Sequence, residues 1–162
     1  MKKLCAALLA LLIVISTACA YALPIEKDIR FSYNACASTV GADEIDDKQI
    51  ESSNDRITYK MDGYNIVFLL DGDSIKSAGI TFNDGDEGAF LAACIALMNY
   101  LGEPGIEQYG ALMLYYGVLR SGRDETFPYS SGADVFELTN GEKYNCKYMF
   151  VYMNNDLKTA FE

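Results

Sequence analysis

From Arg56 to Phe82 the side chains follow the two-residue period of strands. Ile57, Tyr59 and Met61 alternate with Thr58 and Lys60, Asp62-Gly63 interrupts, and Tyr64 to Leu70 resumes as an apolar run. Asp-Gly between two such runs is a strong short-range hairpin signal, because both residues tolerate the positive φ that a tight turn needs. Asp71-Gly72-Asp73 marks a second turn and Ile75 to Phe82 a third strand. The pattern predicts a three-stranded meander.

After Phe82 the period lengthens. Asn83-Asp84-Gly85-Asp86-Glu87 precedes Phe90, Ala93, Cys94, Leu97 and Leu101, which trace one face of a helix that Gly102 should end. Asp84 with Glu87 three positions on reads as a capping box. A second helix is expected from Pro104, with Ile106, Tyr109, Met113 and Tyr116 at three-to-four spacing; Gly110 and Gly117 on that side would admit close approach of another element. So short a connection predicts an antiparallel helix pair. Arg123 to Gly132 reads as a loop containing Phe127-Pro128-Tyr129. Ala133 to Leu138 and Lys143 to Met153 read as two strands around Asn140-Gly141.

Upstream, Ile25, Ile29, Tyr33, Cys36 and Val40 fall at helical spacing, with Pro24 at the start and Glu26 and Asp28 matching the helix dipole. Ile29, Phe31, Tyr33, Ala35 and Ala37 also alternate, so a strand is the competing expectation. Ala42 to Asp55 carries six acids against the lone Lys48 and reads as a solvated linker. The order is helix, three strands, two helices, two strands. Runs of strands separated from runs of helices predict an α+β fold, here an antiparallel sheet of about five strands packed against helices.

The first residues change the picture of compartment. Met1-Lys2-Lys3 followed by the uncharged Leu4 to Ile15 has the form of a secretory signal peptide. Ala18-Cys19-Ala20 and Ala20-Tyr21-Ala22 are A-x-A cleavage patterns, so a leader of residues 1–22 and a globular domain of residues 23–162 are expected. A lipoprotein signal would acylate Cys19, but Ser16 stands in Ser16-Thr17-Ala18 where an aliphatic residue belongs. Removing Lys2 and Lys3 from a chain of 13 bases and 23 acids takes the formal net charge from −10 to −12. Such a surface repels nucleic acid and anionic headgroups. Of five cysteines, Cys36, Cys94 and Cys146 remain, enough for at most one intramolecular disulfide.

The chain contains no histidine, which rules out Ser-His and Cys-His nucleophile systems and imidazole metal ligands. Asp71 and Asp73 lie a full strand, roughly 25 Å, from Asp84 and Asp86. Asp62, Asp84 and Asp86 should share one end of the sheet and form a geometrically possible calcium site. No EF-hand fits, since Phe82 and Cys94 occupy the twelfth positions where Glu is required. The twelve tyrosines are the one compositional feature suggestive of recognition. The leading expectation is therefore an exported, non-enzymatic interaction module without a cofactor. It would bind a protein or cell-envelope polymer through exposed aromatics, with Phe127 and Tyr129 first among them. The competing expectations are an envelope enzyme using Asp62, Asp84 and Asp86, with or without calcium, and a surface protein acting through a free thiol.

Overall fold

A computed structural model describes residues 25–123, 127–132 and 134–154. The expected leader, with Cys5, Cys19 and both cleavage positions, lies outside the described residues.

Alternation and turn chemistry build the meander as expected. Strands β2 (Arg56–Lys60), β3 (Tyr64–Asp71) and β4 (Ser74–Phe82) pair antiparallel, with a register irregularity between Leu69 and Leu70. At the first turn Met61 N–H donates to Tyr64 O, and Gly63 takes φ +83°, a conformation that suits glycine because it lacks Cβ. Among the described residues the sheet nevertheless has seven strands, all antiparallel, in the order β1 (Ile50–Ser52), β2, β3, β4, β7 (Tyr148–Asn154), β6 (Asp134–Asn140) and β5 (Phe127–Ser131). The two strands absent from the sequence reading are its edges, β1 (Ile50–Ser52) and β5 (Phe127–Ser131). Three residues are too few to display a period, and β1 is recruited from the supposed linker by pairing with β2 and by the Lys60–Glu51 ion pair. Strand β5 is recruited from the supposed loop, where Pro128 argues against a strand; an edge tolerates it because only one side of the strand needs ladder hydrogen bonds.

The C-terminal hairpin is also looser than its Asn-Gly dipeptide suggests. Between β6 (Asp134–Asn140) and β7 (Tyr148–Asn154), Glu142–Tyr144 forms a 3-10 turn and Asn145 adopts the left-handed conformation at φ 54°. Cys146 N–H donates to Gly141 O and Gly141 N–H to Lys147 O. Tyr144 and Cys146 thus precede the strand in which they were expected.

Among the described residues, the three α-helices lie over one face of the sheet. α1 (Ile25–Val40) is helical over its full length, burying Ile29, Tyr33 and Ala37 and leaving Phe31 exposed; the strand alternative would have placed Phe31 with them. α1 lies along α2 (Glu87–Leu101), and α2 spans β4 and β7. Because α2 is enclosed by sheet and helix, Ala96 and Met98 are buried in addition to its predicted face. Its N-cap is Asp86, whose carboxylate accepts from Gly88 N–H at 2.7 Å, rather than the expected Asp84. α3 (Ile106–Arg120) rests on β5 and β6 and runs back antiparallel to α2. Tyr109 donates to Asn99 at one end of the pair, and Tyr116 donates to Glu87 at the other. The expectation that Gly110 and Gly117 admit a neighbouring element is not met, since a Cβ at either would find nothing within 4 Å among the described residues.

The helix-covered face carries the aromatic core. Ile57, Phe68, Ala78, Tyr152, Phe136 and Tyr129 form one cross-sheet row, and Ile66, Ile80, Phe150 and Leu138 the next. Ring centroids 5.7 Å apart join Phe136 to Phe150, and 5.0 Å joins Phe82 to Phe90 of α2. Such aromatic pairs add to the burial of their area.

Candidate functional site

Side chains alternate across a strand, so the residues between these rows share the opposite face, on which no helix of the described residues lies. Thr58, Val67, Gly79, Val151 and Glu137 align across five strands, flanked by Lys60, Asn65, Thr81, Met149 and Thr139 on one side and by Arg56, Leu69 and Ser77 on the other. The centre is aliphatic and the margin polar. Leu69 is 39% exposed, while Val67, Met149 and Val151 are half-buried by their neighbours.

Gly79 shapes the middle of this face. A Cβ there would lie 2.7 Å from Phe150 O, so glycine permits β4 and β7 to sit together. The missing side chain leaves a gap between Val67 and Val151, the floor of a concavity of about 310 Å³ walled by Leu69, Thr81, Met149 and Arg56. A second, more polar groove of about 430 Å³ continues toward β1, lined by Ser53, Thr58, Lys60 and Asn65. Arg56 borders both, its Nε held by Thr58 Oγ1 at 3.2 Å. Asn65 Nδ2 donates to Thr81 Oγ1 at 3.4 Å.

The residues expected to be functional lie elsewhere. Tyr129 is on β5 rather than in a loop, half-buried on the covered face and stacked on Phe136 at 5.0 Å. Phe127 occupies the strand position opposite Leu138. Asp62, Asp84 and Asp86 do fall at one end of the sheet, where Gly63 O accepts from both Asn83 and Asp84 N–H. No group of three or more carboxylate or thiol side chains able to hold a metal ion exists among the described residues. Asp86 caps α2, and Asp84 Oδ1 accepts from Gly85 N–H.

Cys36, Cys94 and Cys146 are free thiols, each with its pKa raised by burial, which opposes the thiolate that nucleophilic chemistry requires. Most of the described tyrosines serve the core. Burial raises the hydroxyl pKa of Tyr33, Tyr59, Tyr64 and Tyr152. Tyr59 donates to Glu26 O at 2.8 Å and Tyr64 to Asp43 at 3.1 Å. Tyr152 donates to the buried Asp134, whose other oxygen accepts from Gln108 at 3.2 Å. Tyr33 OH is buried without a hydrogen-bond partner among the described residues. Among the described residues no helix is long and apolar enough to cross a membrane.

Glu87 is the most connected acid among the described residues, binding Lys147 Nζ at 2.7 Å, Tyr116 OH and Arg120 Nε at 3.6 Å. The hydrogen bond from Lys147, then that from Tyr116, holds its pKa below the usual 4.5. A depressed carboxylate pKa contributes stability that is present above 4.5 and is lost as the pH falls through the folded-state value. Glu87→Gln should therefore lower the urea midpoint at pH 7, with the deficit shrinking toward pH 3; a deficit independent of pH would show that the charge contributes nothing.

Val67, Leu69, Met149, Val151 and Gly79 were not singled out from sequence. A signal that could have found them is Gly79 itself, an isolated glycine in a strand, which marks close backbone approach. Comparison of the chain with protein families, curated proteins and solved structures finds no match.

Proposed function

We propose that this is an exported, non-enzymatic binding module that engages a polypeptide on the open face of its sheet. The observation that carries the reading is the aliphatic concavity over Gly79, on a sheet whose other face is sealed by three helices. An exposed apolar patch with a polar margin is the ordinary form of a protein-binding surface. A pocket of this kind accepts an apolar side chain, while Thr58, Asn65, Thr81 and Arg56 are placed to hydrogen-bond the backbone around it. A cell-envelope glycan fits less well, because sugar faces stack on aromatic rings and the described aromatic side chains of the strands all belong to the covered face. Nucleic acid is disfavoured by the net charge of −10. Export rests on the leader pattern of residues 1–22.

The test is capture of envelope proteins by the intact protein and by Val67→Lys with Val151→Lys. These positions are half-exposed, so the double variant should keep its fold while losing the captured protein. Tyr129→Ala should retain it. Loss through Tyr129→Ala with retention through the lysine pair would move the site to β5 and overturn this assignment.

A further inference from the structure

We infer that α3 is a self-association surface, through which two copies of this chain pack as an antiparallel helix pair about a two-fold axis between Met113 and Leu114. α3 is apolar on two sides. Its inner side buries Gln108, Leu112, Tyr116 and Leu119, while outside Ile106 is 86%, Leu114 64% and Met113 50% exposed. At 100° per residue, these three fall with Gly110 and Gly117 inside an arc of about 100°, the width of a packing face. Glu107 and Arg120 border that arc at opposite ends of the helix.

The occupant is identified by the order of these residues. A two-fold axis between Met113 and Leu114 sets each of them against the other in the second copy and sets Gly110 against Gly117, as an isologous contact requires. Both glycines face open space among the described residues, so neither is needed for packing within the chain. Helix interiors disfavour glycine, whereas a partner backbone approaching closely makes use of its missing side chain. Charge fixes the direction. Glu103 and Glu107 lie at the start of the helix and Arg120 and Arg123 at its end, so antiparallel packing brings acids beside bases and parallel packing brings like beside like.

The size of the face sets the strength. Fifteen residues span about 22 Å, and a strip about 10 Å wide buries on the order of 220 Å² per copy, roughly 450 Å² in total, which places the contact well below the roughly 1,200 Å² of stable interfaces and among the weakest. Association through so small a face is expected only at high protein concentration. A lipid surface suits α3 less well, because an interfacial helix presents a polar face rich in Lys and Arg opposite its apolar one, whereas the other side of α3 is core.

Sedimentation equilibrium of the intact protein between about 5 and about 500 µM should show its mass rising from that of the monomer toward twice that value. Leu114→Glu places two like charges at the axis, and Gly110→Gln with Gly117→Gln places long side chains where the backbones meet; each should weaken association at least tenfold. The glutamines enter open space on a helix that favours them, so the thermal midpoint at low concentration should not fall. A monomeric protein at the highest concentration would overturn the inference, as would either variant associating like the parent. Cosedimentation with phosphatidylglycerol vesicles, lost in Leu114→Glu while the soluble protein stays monomeric, would assign the face to lipid instead. Loss of sheet-face binding leaves all of these outcomes unaffected.

Discussion

Gly63→Ala is expected to destabilise the protein by about 3–4 kcal/mol, far more than a surface turn substitution ordinarily does. Two independent costs combine. Ala at φ +83° occupies the left-handed region at about 1–2 kcal/mol, and its Cβ would overlap the Asp84 carbonyl oxygen. Relieving that overlap pulls apart the β2–β3 turn and the end of β4, releasing the bonds from Asn83 and Asp84 N–H to Gly63 O, each worth about 1 kcal/mol. Gly72→Ala is the control. Its φ of +60° carries the conformational cost, but nothing lies within 4 Å among the described residues, so about 1–2 kcal/mol is expected. Equal denaturant midpoints for the two variants would show that the turn and the strand end are not locked together.

Phe150→Ala should cost about 3–5 kcal/mol, the range for removing a fully buried ring and leaving a cavity. Phe150 lies on β7 in the middle of the sheet, stacked on Tyr152 and tilted against Phe136. Relaxation is restricted because both flanking strands are paired. Val151→Ala, one residue on, should cost less than about 1.5 kcal/mol, because its side chain is on the open face. The ratio of the two therefore measures whether β7 is sealed on one side or both. Similar losses would mean that the open face is covered in solution, which would remove the proposed binding surface.

The candidate site was far less legible in the sequence than the fold. In the last strand Met149 and Val151 alternate with Tyr148, Phe150 and Tyr152, and a strand apolar on both sides reads equally as one buried on both. Asp84, Asp86 and Glu87 were correctly placed near a helix start, yet their roles depended on a distant residue. The helix begins at Glu87 with Asp86 as its N-cap, and Glu87 binds Lys147, sixty positions later. Tyr129 looked available for a partner only because its strand was unrecognised; pairing with β6 sets it on Phe136 instead.

What the sequence determined by itself is what neighbouring residues settle among themselves. Strand period and Asp62-Gly63 specified the meander. Three-to-four spacing with terminal acids and glycines specified the two helices after Phe82, while Ile25 to Val40 carried both periods, and the order of the elements along the chain specified α+β. Tertiary structure decided what depends on distant pairing. The helices cross one face and deliver β5 to the far edge, so β7 returns beside β4 and completes seven strands. That crossing also chose which apolar side of β7 would be sealed, because the larger aromatic side offers more area to remove from water and the helices can cover only one.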